Sequence, residues 1–437
     1  MRTNPEKFEL NWPGKTDMLN KLNSKPIGEI IWERSYPKKN QDLLIEGNNL
    51  EALKNLALTH ENLVKFIYID PPYNTGNSFT YNDNFQESPR SHKNRVGNHG
   101  NSSARKHSLW LNMMYPRLYW AKKLLKNDGV IFISIDDSEL AQLTLLMDEI
   151  FDEENRVGII TWVKKKKGSH LSRSLRSITE YILVYGKQAS GLNLYGEDAY
   201  RNKWQPLLKR VNKEKTLHFK ANVVETTLAG NFYPKGLYGS GGTRVELMDD
   251  INIKNGLIIN SFAIKARTVW TQEKLNQELQ LGTRVSIRSV GMGPNVFRHD
   301  QLKKKKAPPS LLDFRVGVGT NEDASRELLE IFGLENIYSY PKPVSLIKYL
   351  ARTVSRYQKD GIFLDFFAGS GTTGQAIWEL NREDGGRRNF ILIQSAEKMN
   401  PQIELANGER VNTISELCRT RLDRVKQNET FIPGRLS

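Results

Sequence analysis

Asp70-Pro71-Pro72-Tyr73 brings together a carboxylate, a proline carbonyl with no competing N–H and a flat aromatic ring. Two acceptors and a ring suit an exocyclic amine on an aromatic base. Asp70 and the Pro71 carbonyl would take its two N–H groups, and Tyr73 would stack. Stacking a base on an aromatic side chain is worth about 1–3 kcal/mol. Acceptors so placed turn the amine's lone pair towards an electrophile instead of letting it delocalise into the base. Read as structure alone, the same residues form a strand-ending Asp-Pro turn with a core tyrosine. The preceding run, Phe66-Ile67-Tyr68-Ile69, predicts a strand covered on both faces, as in a parallel sheet. The prolines end it, because neither donates to a ladder and each pushes the residue before it towards extended backbone. Asp70 is therefore expected just past the carboxyl edge of a sheet, where open α/β folds bind ligands.

The second constellation runs from Ile362 to Gly374, a strand and a glycine turn followed by a helix over Gln375 to Leu380. Gly369, Gly371 and Gly374 fit G-x-G-x-x-G, a dinucleotide fingerprint. An NAD-type dinucleotide-binding oxidoreductase is thus a rival reading from another class. Only 63 residues follow Gly374, too few for the rest of a two-half dinucleotide domain in its usual order. No P-loop lysine is present, which disfavours a nucleoside triphosphate. Under the oxidoreductase reading the Asp70 corner also has no task.

The tetrad resembles the D-P-P-Y motif of amino-group DNA methyltransferases that use S-adenosylmethionine. Its continuation, Asn74-Thr75-Gly76 and then Tyr81-Asn82-Asp83-Asn84-Phe85, is similar to the adenine-specific branch that includes the Mod subunits of Type III restriction-modification systems. The resemblance covers roughly residues 40–187 and 312–428. It implies an α/β, Rossmann-like S-adenosylmethionine-dependent methyltransferase domain with a permuted, mostly parallel seven-stranded sheet and helices on both faces. An inserted basic target-recognition domain accompanies it. The catalytic corner precedes the basic segment and the cofactor turn follows it, an order that in the family defines the β class.

The implied reaction is methyl transfer to N6 of a flipped-out adenine in DNA. Cytosine-N4 methylation has similar amine geometry, although that branch more often has Ser where Asp70 stands. A cytosine-C5 enzyme needs a cysteine after proline, whereas Cys418 follows Leu417. RNA as substrate and a non-catalytic DNA-binding module are the remaining alternatives. The resemblance makes Asp70, Pro71, Pro72 and Tyr73 catalytic. Phe367, Gly369 and Gly371 match the F-x-G-x-G cofactor motif, with Thr372 beside them. Asp365 would attract the cofactor's ammonium, and Glu397 would accept its ribose hydroxyls. Lys342 matches a family position before a helix and is expected either to face the cofactor carboxylate or to serve in packing. Asn48 stands where the family usually has Asp near the cofactor's adenine. Its amide oxygen can still accept from an amine, without charge, or it can cap the helix that follows. Double-stranded DNA is the implied partner, and the resemblance allows a homodimer and a helicase-nuclease restriction subunit.

The elements that must position these residues fall into two α/β halves around a segment of different texture. In the first, Asp42 to Ile45 predicts a strand, Gly47 a turn, and Leu50, Leu53, Leu56 and Leu58 a helix leading into the Asp70 strand. A helix over 108–127 ends at Asn127-Asp128-Gly129, and a strand follows at Val130 to Ile135. Asp136-Asp137-Ser138-Glu139 reads as the negatively charged start of a helix reaching Phe151. Ile159 to Val163 and Tyr181 to Tyr185 read as paired strands joined by the basic run Lys164 to Lys167. The second half predicts a helix over Ala324 to Phe332, another opened by Tyr340-Pro341-Lys342-Pro343-Val344, and a strand at Phe390 to Ile393. Between the halves periodicity fades, and basic residues alternate with aromatics at Arg201, Lys203, Trp204, Lys209, Arg210, Arg267 and Trp270.

Charge separates the same segment. Residues 161–310 contain 27 Lys and Arg against 11 Asp and Glu, while the rest of the chain holds 37 against 38. The entire excess of +15 is concentrated there, the footprint of a polyanion-binding module. The organisation read from the chain is a strap at 1–40 carrying Trp12 and Trp32, a catalytic half at 41–187, a target-recognition insert at 188–308 closed by the Lys303 to Lys306 linker, a cofactor-binding half at 309–430 and a tail at 431–437. The long Asn/Ser/Gly/His-rich stretch 74–107 is expected to close over the cofactor or touch DNA. His92, His99 and His107 lack ligand spacing, so no metal is expected. A single cysteine excludes an intrachain disulfide. No apolar run approaches the ~20 residues that span a bilayer, and no signal-peptide core is visible, so a cytoplasmic protein is expected.

Overall fold

Residues 10–22, 24–25, 42–74, 103–167, 175–196, 203–298, 306–405 and 408–429 are described by a computed structural model. Trp32, Thr75, Gly76, Tyr81 to Phe85, His92, His99, Arg201, Lys303 to Lys305 and the 431–437 tail lie outside the described residues. The chain separates into two compact units, one drawn from Met1–Gly196 and Ala307–Ser437, the other from Glu197–Lys306.

The strands of the first unit's large sheet are β1 (Leu43–Glu46), β2 (Val64–Ile69), β3 (Leu125–Ile135), β4 (Arg156–Val163), β5 (Thr179–Gly186), β6 (Leu311–Leu312), β7 (Asp360–Asp365) and β8 (Arg387–Gln394). Its helices are α1 (Lys15–Leu22), α2 (Asn49–His60), α3 (Ser103–Leu124), α4 (Leu140–Phe151), α5 (Asn321–Phe332), α6 (Val344–Ser355), α7 (Thr372–Asp384) and α8 (Ile414–Glu429). The strand order is β1-β8-β7-β2-β3-β5-β4-β6. The first five run parallel, β5 is antiparallel to both its neighbours, and β6 is parallel to β4. This is the permuted, mostly parallel Rossmann-like sheet. Its eighth strand is the two-residue edge β6, too short to leave a pattern in the sequence.

All six residues of β2 are buried. Successive side chains point to opposite faces. Ile67 and Ile69 enter a core with residues of α1, α2, α3 and α4. Phe66 and Tyr68 enter a second core with residues of α6, α7 and α8. An apolar run without alternation is what a strand covered on both sides requires. From β2 the chain winds through α3 to β3 on one side, and from β7 it winds through α7 to β8 on the other. The direction reverses between β7 and β2, and such a reversal opens a crevice at the carboxyl ends of the two strands.

Two local features differ from the reading of the sequence, and one agrees with it. The third helix ends at Leu124, and Asn127 to Gly129 fall in a register shift of β3 between the pairs Val64–Leu125 and Phe66–Val130. Segment 188–196, which by texture belongs to the insert, packs on the first unit. Leu192 and Leu194 lie against its second core, and the Tyr195 ring meets Tyr357 edge-on at 4.8 Å. In the strap, Trp12 is buried, and its Nε1 donates to Asn112 Oδ1 at 2.8 Å.

The second unit has its own core, including Leu217, Val245, Ile264 and Ile287, and its strands form a four-stranded and a seven-stranded sheet. Among the described residues no helix is long and apolar enough to cross a membrane, and no group of three His, Cys, Asp or Glu is placed to hold a metal ion. The chain leaves the first unit where it comes back. A Cβ built on Gly196 would lie 2.8 Å from Pro308 Cα. Replacing residues 197–306 by a short Gly-Ser linker should therefore leave the first unit folded, with cooperative thermal unfolding by circular dichroism within about 10 °C of the full chain. A broad, non-cooperative melt would show that the two cores depend on each other.

Candidate active site

Asp70 follows β2 directly, and the prolines hold the chain in an extended corner. Trp110 of α3 fixes that corner from behind, its Nε1 donating to Pro72 O at 2.7 Å. The Tyr73 hydroxyl donates to Asp70 Oδ1 at 2.6 Å and lies 3.2 Å from Glu180 Oε2. The second oxygen of Asp70 is also taken, since Lys342 Nζ donates to Oδ2 at 2.6 Å. The sequence points Lys342 to the cofactor carboxylate or to packing; its ammonium sits instead on the Asp70 corner, 5.1 Å from the Tyr73 ring centroid. It also lies 3.5 Å from Glu180 Oε2, and Lys164 Nζ pairs with Glu180 Oε1 at 3.2 Å. Lys342 and Glu180 are only 6% and 7% exposed, so this alternation of two cations and two carboxylates keeps buried charge neutral. Burial pushes the Asp70 carboxyl above its ordinary value against the lowering pull of Lys342. Burial pulls the Lys342 ammonium down, but Asp70 and Glu180 more than offset it and leave it raised. Burial and then the Asp70 charge hold the Tyr73 phenol protonated, far above its usual range.

The glycine turn sits at the end of the neighbouring strand. Gly369 and Gly371 have φ of +53° and +84°, which L side chains rarely adopt. A Cβ on Gly369 would meet the Tyr338 hydroxyl at 2.7 Å, and one on Gly371 would meet Cys418 Sγ at 2.9 Å. Asp365 is 3% exposed; Oδ1 accepts from Phe367 N at 3.0 Å and Oδ2 from Thr373 Oγ1 at 2.5 Å. Both its oxygens thus brace the turn. Burial raises its carboxyl to about 7, with the Asp70 charge contributing from across the crevice. Gln394 Oε1 accepts from Gly369 N at 2.8 Å. Arg421 of α8, 1% exposed, donates to Gln375 Oε1 at 2.8 Å, Ser370 Oγ at 3.0 Å and Thr372 Oγ1 at 2.8 Å. Thr372, expected at the cofactor, is therefore held from the rear of the turn. Phe367 is buried, and the Phe366 carbonyl before it accepts from Asn49 Nδ2, whose Oδ1 takes the Arg117 Nε proton at 2.7 Å.

Registers Phe363–Phe66 and Leu364–Ile67 set the ends of β7 and β2 side by side, about 4.8 Å apart as hydrogen-bonded neighbours are. Asp70 and the Gly371 turn, just over three hundred residues apart in sequence, flank one crevice. Glu397 lies beyond the end of β8, half-buried, its carbonyl accepting from Ile414 N at 2.9 Å. Asn48 follows β1 on the same edge. Its side chain accepts from Leu50 N at 2.9 Å and Glu51 N at 3.3 Å, so it caps α2.

Several residues around the crevice left no readable signal. Glu180 is one acid at the head of an apolar strand, and Arg421 one base in a charged helix. Their roles come from partners 107 and 51 residues away. Glu139, by sequence part of a charged helix start, is instead fully buried, and α4 has no acid in its first turn. Its Oε1 accepts from Asn74 Nδ2 and, at 2.7 Å, meets His107 Nδ1. Burial raises its carboxyl, and Oε2 has no partner among the described residues.

A doubly wound sheet with two separately braced turns at its switch point defines a Rossmann-like protein built to bring two ligand groups together. The chain belongs to the N6/N4 DNA methylase family, whose model, described as DNA methylase, matches residues 64–405. It is similar to the StyLTI Mod subunit of a Type III restriction-modification enzyme from Salmonella typhimurium, with 36% identity over 96% of this chain and 63% of that protein. It is similar to the EcoPI Mod subunit of Escherichia phage P1, with 32% identity over 97% of this chain and 69% of the relative. A third relative is the Type II methyltransferase M.KpnI of Klebsiella pneumoniae, 32% identical over 87% of each chain. The chain thus spans less than two thirds of the Salmonella protein's length.

The raised carboxyl of Asp365 predicts a signed pH effect. Between the unfolded value near 3.8 and about 7 the folded protein keeps a proton that the unfolded chain has lost. This contribution to stability therefore falls as pH rises through that window. Urea unfolding of Asp365→Asn against wild type should shift in the variant's favour by roughly 2 kcal/mol from about pH 5 to pH 8. A difference independent of pH would mean that Asp365 is ionised throughout.

Proposed function

We propose that this chain is a site-specific DNA methyltransferase that moves a methyl group from S-adenosylmethionine to N6 of an adenine flipped out of double-stranded DNA, within a restriction-modification system. The observation that carries the reading is the shared crevice: an amine-accepting corner after β2 and a glycine turn after β7, on hydrogen-bonded neighbouring strands. The names of its relatives, Type III Mod subunits and a Type II methyltransferase, support it.

The residues at the turn fit the cofactor. The strained glycines let backbone come close where any side chain would collide, and the Glu397 carboxylate beyond β8 suits a ligand's hydroxyl donors. S-adenosylmethionine, when bound, supplies an electrophilic methyl group on a sulfonium. Phe367, Gly369, Gly371 and Glu397 would hold it, with Asp365 and Thr372 setting the shape of the turn.

Flipping the adenine costs a few kcal/mol, which the basic second unit offsets by engaging phosphates. At the corner the amine displaces a donor already on Asp70, either the Tyr73 hydroxyl or the Lys342 ammonium. Asp70 and the Pro71 carbonyl then accept the two N6 hydrogens, and the lone pair points across the crevice. Orientation and pre-set electrostatics supply most of the rate. Methylation at N6 would release one proton, and Asp70 is the group placed to accept it. Where Lys342 is the donor displaced, the hydrogen bonds from Asp70 through Tyr73 to Glu180 would carry that proton onward. A homodimer and a helicase-nuclease restriction subunit are the proposed partners, and the cytoplasm is the proposed location.

Expression in a methylation-free host with genome-wide mapping should reveal N6-methyladenine at one short sequence. N4-methylcytosine, or no modified base, would overturn the assignment. Asp70→Ala should abolish transfer while DNA affinity stays within about threefold; equal loss of both would make the corner structural. Gly371→Asp should eliminate S-adenosylmethionine binding by calorimetry, and unchanged affinity would remove the turn from the cofactor site.

A further inference from the structure

The basic run Lys164 to Lys167 has only its first member in the corner. The run is fastened to the start of α5 through the Lys164 carbonyl and the Lys166 side chain. Asn321 N donates to Lys164 O at 2.8 Å, and Lys166 Nζ pairs with Asp323 Oδ1 at 3.2 Å. Beside this junction lies a cavity of about 480 Å³ whose walls include Lys165, Lys167, Asn321, Glu322, Tyr338 and Tyr340. It shares no lining residue with the catalytic corner. Its volume falls in the range of small-ligand sites.

Two wall residues are unsatisfied as they stand. Asn321 is 7% exposed, and its Oδ1 is buried with no hydrogen-bond partner among the described residues. A buried acceptor in that condition costs about 1–3 kcal/mol, and a donor brought by a ligand would relieve it. Tyr340 is 71% exposed and sits at φ +52°, the left-handed region that bulky residues avoid. That backbone strain holds an aromatic ring out at the cavity, with Lys165 Nζ 6.0 Å from its centroid.

The lining selects among ligands. Lys165, Lys167 and the amino end of the twelve-residue α5 favour negative charge. The Glu322 carboxylate and the orphan Asn321 oxygen oppose a bare anion, because both want donors. A nucleotide meets all of these demands. Its phosphate pairs with the lysines, its exocyclic amine gives Asn321 Oδ1 a donor, and its ring stacks on Tyr340. We propose that this cavity binds one unpaired nucleotide of a DNA strand, distinct from the base that meets Asp70. The proposal rests on DNA being the substrate, but the site can be tested without any methyl transfer.

The test uses the full chain and two fluorescein-labelled single strands of equal length, an oligodeoxyadenylate and its abasic counterpart. Wild type should prefer the strand with bases. Tyr340→Ala, an exposed position, should weaken oligodeoxyadenylate binding about tenfold and leave the abasic strand unchanged. Asn321→Ala should narrow the same preference. Lys165→Ala combined with Lys167→Ala should weaken both strands and reduce the salt slope by about 0.7 for each phosphate that is no longer neutralised. S-adenosylmethionine affinity is measured alongside, because Tyr338 on the cavity wall also abuts Gly369. Unchanged preference in Tyr340→Ala would overturn the proposal. So would an equal fall in S-adenosylmethionine affinity, which would make the cavity part of the cofactor site. A chain that modifies no genome yet shows the Tyr340-dependent preference would refute the proposed function and uphold this site.

Discussion

The parallel pairing of Phe363 and Leu364 with Phe66 and Ile67 is the constraint on which the molecule depends. It brings two distant segments together in one register, and everything chemical about the crevice follows from it. A slip by one residue would exchange the faces of a strand whose side chains are divided between two cores. Phe66 and Phe363 pack their rings 5.1 Å apart on one face, while Ile67 and Leu364 fill the other core. The same packing that stabilises the sheet therefore fixes Asp70 opposite the glycine turn. Precision at the crevice comes from the core beneath it and not from the loops alone.

Around that crevice, polar residues are spent on rigidity. The corner is held by Trp110 behind Pro72, and the turn by Asp365, Gln394 and Arg421. These braces come from four different elements, so neither turn can shift without disturbing a buried hydrogen bond. The acceptors of Asp70 are preloaded with Tyr73 and Lys342, so that a buried carboxylate never stands unpaired. Under the proposed function, a substrate amine would enter by exchange of donors and not by filling an unsatisfied site. Exchange keeps the number of buried hydrogen bonds constant, which limits the energetic penalty of engaging the base.

Legibility in the sequence followed the range of the interactions. The Asp70 corner, the Gly371 turn and the buried run of β2 were readable because each is written in adjacent residues with strong backbone consequences. The parallel sheet followed from that run and from the alternation of strands with helices. Glu180, Arg421 and Glu139 were not readable, since each acts on residues far away in the chain and looks locally like an ordinary charge. Asn48 was ambiguous because its amide serves equally as a cap or as a ligand contact, and only the positions of Leu50 N and Glu51 N decide for the cap. Lys342 matches a cofactor position only by analogy. Its real neighbour is decided by where α6 begins relative to β2, which no local pattern encodes. The two-residue β6 is defined only by its pairing with Thr161 and Trp162, and a pair of leucines carries no strand signature.

The separation of β7 from β2 also shapes how the protein is made. When β2 leaves the ribosome, the partner for one of its edges is still about 290 residues from being synthesised. At 5–20 residues per second that edge waits roughly 15 to 60 s. During this interval a strand apolar except for Lys65 has an open flank, while the Glu197–Lys306 unit, with a core of its own, is able to fold in between. Biogenesis of this chain is therefore a problem of sheltering the open edge of its central strand.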